Sequence, residues 1–134
     1  MEQYVIDTHA LLWYLAGDAR ISKAAKEIIQ KCEAGEFLIL APSIVLIESI
    51  EVINKRRIIY PIGDLFKYFE NNPQFEIKPL DLSIIGPYRN YKCPDIAINL
   101  ESHDKIIIVT SVIANNAPIL TKDAKIQKVH PTIW

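Results

Sequence analysis

The sequence has little of what most small-molecule and redox sites are built from. It carries two cysteines, Cys32 and Cys93, far apart and with no CxxC spacing. That pattern excludes a disulfide framework, and both are expected to be free thiols in a reducing cytoplasm. The three histidines, His9, His103 and His130, are scattered and have no cysteine companions at zinc-ligand spacing. Only four glycines occur, none in a GxGxxG or phosphate-loop pattern. No apolar run reaches the ~18–20 residues of a membrane span. Glu2 stands where a secretory signal would carry basic residues, so a cytoplasmic protein without a membrane partner is expected. Repeats, low-complexity tracts and linkers are missing too.

What remains is an ordinary globular composition. The chain has 134 residues, 50% apolar and 23% charged, with a net charge of −1. That length supports a proper core, and we read residues 1–134 as a single domain. Apolar runs at Gln3–Asp7, Phe37–Leu40, Phe75–Leu80 and Ile119–Thr121 read as strands, with Thr132–Trp134 as a short edge strand. Between them lie helical patterns. Ala10–Leu15 is one. Ile21, Ala24, Ala25, Ile28, Ile29 and Cys32 repeat at helical spacing, with Ser22 as N-cap and Gly35 as stop. Pro42-Ser43 opens a helix that runs to about Arg57. Ile62 to Phe69 forms another, ended by Asn71-Asn72-Pro73. Leu82 to Ser102 is poorly patterned and reads as short helices and loop.

One segment sets two rules against each other. Ile106 to Ile113 is rich in β-branched residues, which favours a strand. Ser102 as N-cap, Asp104 in the first turn and Asn115-Asn116 before Pro118 favour a helix, and we take the helix. Strands then alternate with helices throughout. The expected fold is α/β, a three-layer α/β/α sandwich around a parallel sheet.

Four acids stand where acids serve folding poorly. Asp7 ends the first strand, Glu48 lies inside the helix Ser43–Glu48, Asp104 opens the Ile106 run and Asp123 follows the Ile119 strand. An unpaired carboxylate in apolar surroundings is costly. Each has a structural alternative. Asp7 and Asp123 can cap helices, Glu48 can face solvent, and Asp104 can serve a helix dipole, with Glu101 able to share its place. Glu51, four residues before Lys55, reads as half of a surface ion pair. In a parallel sheet, however, the C-terminal strand ends are where functional groups gather. All four acids map to that edge, so their conjunction outweighs any single alternative.

Crowded carboxylates repel unless a cation compensates. Hard divalent ions such as Mg²⁺ or Mn²⁺ prefer oxygen ligands, and they assist phosphodiester hydrolysis. Removing the four acidic charges from the net −1 leaves +3 for the rest of the surface. Lys55-Arg56-Arg57 forms a local basic cluster, open to reading either as a nucleic-acid contact or as a solvated helix end.

The motifs Val5-Ile6-Asp7-Thr8-His9-Ala10-Leu11-Leu12-Trp13, Ile44 to Glu48, Ser102-His103-Asp104-Lys105 and Leu120-Thr121-Lys122-Asp123 resemble, in order, those of PIN-domain ribonucleases. Among these the VapC-like toxins of prokaryotic toxin–antitoxin pairs are the nearest in pattern. The resemblance implies a Mg²⁺- or Mn²⁺-dependent endoribonuclease acting on RNA, often a homodimer, neutralised by a small cognate antitoxin. It implies that Asp7, Glu48, Asp104 and Asp123 are the catalytic, metal-binding acids, with Thr121 orienting Asp123. Lys105 stands where arginine is commoner, and Tyr91 to Leu100 departs from the pattern. Three other readings compete: a PIN-like RNA-processing nuclease outside a toxin–antitoxin pair, an inactive PIN module that binds a protein, and a phosphohydrolase with Asp7 as nucleophile. The last usually needs a second acid two residues on, where this chain has His9. The aromatics Trp13 and Tyr14, and those from Tyr60 to Phe69, suit either a dimer or antitoxin interface or the core.

Overall fold

A computed structural model describes residues 1–134. Five parallel strands form one sheet in the order β3-β2-β1-β4-β5. They are β1 (Gln3–Ile6), β2 (Leu38–Pro42), β3 (Phe75–Lys78), β4 (Ile119–Leu120) and β5 (Thr132–Ile133). Seven helices join them: α1 (Thr8–Leu15), α2 (Lys23–Glu33), α3 (Ser43–Asn54), α4 (Ile62–Asn71), α5 (Leu82–Asn90), α6 (Ser102–Ile113) and α7 (Ala124–Val129). The chain first steps from β1 outward to β3, then crosses back to β4 and β5. Right-handed crossovers therefore assign α1–α4 to one face and α5–α7 to the other. Contacts of α1 with α3 and of α5 with α6 agree. This is the expected three-layer α/β/α architecture.

The central strand explains why β1 is so apolar. Val5 and Ile6 are fully buried, as are Ile39, Ile119 and Leu120 on the strands beside it. A parallel strand covered on both faces has no polar side to offer. Val5 pairs with Leu40 on one side and Ile119 on the other. No helix is long and apolar enough to cross a membrane.

Several local expectations hold. Ser22 Oγ accepts the Ala25 N–H at 3.1 Å. Gly35 follows α2 at φ +83, a left-handed conformation that suits glycine. The contested segment is helical. Ile107, Ile108, Val109, Thr110 and Ser111 of α6 are all buried, and α6 packs on β1, β2 and β4. That burial overrides β-propensity. Asn115 and Asn116 then turn the chain at φ 58 and 57, in the region asparagine tolerates best after glycine.

Other expectations are corrected. The N-cap of α6 is Glu101, and Ser102 is its first helical residue. Helix α3 stops at Asn54, and Arg56 adopts φ 55, so Lys55-Arg56-Arg57 lies beyond the helix and is exposed. Glu51 forms no ion pair with Lys55. Lys55 is the C-cap, and an exposed pair is worth too little to hold two long side chains together. The stretch read as short helices and loop is that: residues 82–90 form a helix with Pro87 inside it, and no helix or strand follows before α6. Trp13, Tyr68 and Phe69 are buried, so most of the aromatics considered for an interface serve the core; Phe66 is the exposed one.

Candidate functional site

Two segments that follow strands and two helices deliver the acids. Asp7 follows β1, where its N–H still bonds to the Leu120 carbonyl at 3.2 Å. It is also the N-cap of α1, and its Oδ1 accepts the Ala10 N–H at 3.1 Å. Asp123 follows β4 in the same way and caps α7, its Oδ1 accepting the Lys125 N–H at 2.8 Å. Asp104, in the first turn of α6, accepts the Glu101 N–H at 3.2 Å. Glu48 projects from α3, and its Oε1 accepts the Thr8 hydroxyl at 2.9 Å.

All four line one cavity of about 130 Å³ at the C-terminal edge of the sheet, together with Thr8, His9 and His103. This edge lies beside β1, where the helical crossovers change faces, the usual crevice of open α/β sheets. The largest cavity, about 720 Å³, lies elsewhere. Its carboxylate Glu33 is already held by the hydroxyls of Tyr14 at 2.6 Å and Tyr68 at 2.7 Å, so we assign it no chemistry.

The electrostatics of the smaller cavity are those of crowded acid. Burial raises the Asp7 carboxyl above the usual range; the Thr121 and Ala10 hydrogen bonds and His9 pull against it, and Asp123 adds to it. Burial likewise raises Asp104, with His103 opposing and Asp123 reinforcing. Both are nearly inaccessible, Asp7 at 8% exposure and Asp104 at 3%.

No three His, Cys, Asp or Glu side chains stand close enough together to clasp an ion in this arrangement. Each carboxylate is instead turned to a local donor. The donor set nonetheless suits a hard divalent cation, because it is all oxygen and its burial cost is relieved by positive charge.

Sequence reasoning missed two supporting residues, Thr8 and His103, and half of the role of a third, Thr121. Thr8 anchors Glu48 from the opening motif. Thr121 donates to Asp7 Oδ2 and accepts the Asp123 N–H at 3.0 Å, so it ties two acids together where only Asp123 was expected. His103 stands among Asp104 Oδ1 at 3.3 Å, Glu101 Oε2 at 3.4 Å and Glu48 Oε2 at 3.6 Å. Its adjacency to Asp104 was the only available signal. Glu101 itself is exposed and does not line the cavity.

Comparisons with known proteins bear on the family and the fold. None of the curated proteins matches the chain. Among solved structures, VapBC2 from Rickettsia felis, bound to a DNA fragment from its promoter, is similar over 98% of this chain and 96% of that one. Its TM-score is 0.68 at 16% identity, a likeness of fold. The PIN domain family matches residues 4–130, a span that takes in all four acids and every strand but the last. By that match the chain belongs to the PIN-domain family.

Proposed function

We propose that this protein is a metal-dependent endoribonuclease and the toxin of a toxin–antitoxin pair. The observation that carries the reading is the meeting of Asp7, Glu48, Asp104 and Asp123, from four separate segments, around one small polar cavity. These four would hold Mg²⁺ or Mn²⁺. When bound, such an ion neutralises charge on a phosphodiester and lowers the pKa of a water. The chain's own contribution is positional. Thr121 fixes Asp7, Thr8 fixes Glu48, and helix capping fixes the backbone at Asp7 and Asp123. His103 lies beside Asp104 Oδ1 and Glu48 Oε2, oxygens that would also be ligands to such an ion.

Incubating the purified protein with an RNA pool tests this. Cleavage with Mg²⁺, none with EDTA and none with Asp7→Asn are expected. Cleavage unaffected by EDTA would refute the metal role. The Rickettsia felis relative in fold is a VapBC2 assembly, which supports an antitoxin as partner here; a homodimer as the free form rests on the family resemblance alone. An adjacent small reading frame whose product blocks cleavage would separate the toxin from an RNA-processing nuclease outside such a pair. An inactive PIN module would neither bind Mg²⁺ nor cut.

A further inference from the structure

We infer that a second cavity beside the acids is a nucleobase subsite, with His9 as its stacking platform and Lys122 as its phosphate anchor. The inference rests on the nuclease reading and adds how a strand is held. This cavity has a volume of about 350 Å³ and is lined by Asp7, His9, Trp13, Lys122 and Asp123. Asp7, His9 and Asp123 also line the acid cavity, so the two adjoin. A strand whose phosphate lies at the acids must pass a neighbouring nucleotide over this ground on one side.

The walls suit that nucleotide. His9 is exposed and its ring lies 5.5 Å from the ring of Trp13, tilted by 52°. Trp13 is itself fixed, with Trp134 edge-on at 5.7 Å and the Arg20 guanidinium 4.9 Å from its ring centre. His9 therefore presents a π-face on a rigid support. Unstacked RNA bases are received by aromatic rings and histidine in this way, and stacking tolerates any base. The Lys122 ammonium lies 5.9 Å from the Trp13 ring centre. It is exposed and forms no ion pair although Asp123 is its neighbour in sequence. An unpaired ammonium at the rim of an acidic cleft fits the phosphate on the far side of the stacked base.

The protein carries its own reporter. Trp13 and Trp134 are its two tryptophans, and they touch each other at this cavity. Titration in EDTA keeps a strand intact while tryptophan fluorescence is followed. The probes are a random-sequence ten-nucleotide single-stranded RNA and an abasic ribose-phosphate strand of the same length. Wild type should bind the RNA more tightly than the abasic strand by about tenfold, within the range of one base stack. His9→Ala should abolish that preference, and His9→Phe should restore it. Lys122→Gln should weaken both strands alike and lower the salt slope by about one. Equal losses on both strands from His9→Ala, or no change on either, would overturn the subsite. If the wild type meanwhile cleaves RNA with Mg²⁺, the nuclease reading survives alone. Base preference through His9 without cleavage would keep the subsite and defeat the nuclease. Neither binding nor cleavage would defeat both.

Discussion

Replacing Thr121 with valine removes a hydroxyl and almost nothing else. Thr121 is fully buried, and valine has its shape, so no cavity opens. Two hydrogen bonds go. One is donated to the Asp7 carboxylate, whose residue is 8% exposed; bonds to buried charged groups are worth about 1.5–3 kcal/mol. The other comes from the Asp123 N–H and is worth about 0.5–1.5 kcal/mol, less whatever water restores at this half-buried place. The expected loss is about 2–4 kcal/mol. For a chain of this length that lowers the Tm by about 7–14 °C.

The loss should depend on pH, with a defined sign. Burial raises the Asp7 carboxyl, and the Thr121 hydroxyl opposes the rise. Without the hydroxyl, the folded-state pKa moves further above the unfolded value, about 3.9. A raised carboxyl contributes stability below the unfolded pKa and loses it as pH climbs through the folded one. The valine deficit should therefore be largest at alkaline pH and shrink on acidification. Thermal melts of the metal-free protein from pH 8 downward measure this. Thr121→Ser keeps both partners and loses one methyl, about 1 kcal/mol. If valine melts within about 1 kcal/mol of wild type at pH 8, or serine costs as much as valine, the hydroxyl does not hold Asp7 as argued.

Three further outcomes are expected. Mg²⁺ at ten times its Kd should stabilise the wild type by about 1.4 kcal/mol, or about 5 °C, and less at acidic pH as Asp7 and Asp104 protonate; an equal rise in Asp7→Asn would place the ion elsewhere. Asp7→Asn should lose RNA cleavage while its metal-free Tm holds or rises, because asparagine still caps α1 and the crowded charge is reduced; full cleavage would leave Asp7 a cap alone. Burial lowers the His130 imidazole below its usual pKa, and its Nε2 lies 2.5 Å from Ser111 Oγ. A lowered histidine contributes stability above its unfolded pKa of about 6.5 and loses it as pH falls through the folded value, so His130→Gln should flatten the wild type's loss of stability between pH 7 and 5.

The parallel sheet and its layers were readable because they follow from the alternation of strands and helices, which leaves marks in every apolar run. The helical state of α6 was readable only through its ends. Its interior, Ile106 to Ile113, argues for a strand, and what decides is burial against three strands that no local window contains. The bounds of helix α5 were hidden for a related reason. Pro87 removes one of its backbone donors and only Ile84 is buried, so periodicity does not mark it, although Asp81 caps its start. The four acids were legible one by one, as charges in apolar company. Their partners were not, because Thr8 reaches Glu48 across forty residues and Thr121 reaches Asp7 across 114. The end of α3 and the Glu51–Lys55 pair failed at one spot, where the helix ends about a turn earlier than its composition suggests.

Capping and metal binding look like rival explanations for Asp7 and Asp123, yet the geometry makes them complementary. A carboxylate has two oxygens. In Asp123 the cap uses Oδ1 for the Lys125 and Ile126 N–H groups, and Oδ2 has no protein donor. In Asp7, Oδ1 receives the Ala10 N–H while Oδ2 receives a hydroxyl, which can rotate and give up its bond more cheaply than a backbone amide. The cap thus sets the orientation of a short side chain beyond a strand, and leaves the second oxygen to a hydroxyl in Asp7 and without a protein donor in Asp123. Helix dipoles at α1 and α7 lower the cost of keeping these charges where burial penalises them. The carboxylates Glu48 and Asp104 are held by one hydroxyl, one amide and the neighbouring His103. On the proposed reading, two acids fixed by helix caps and two held by single donors would let the cluster take up an ion with little movement of the sheet.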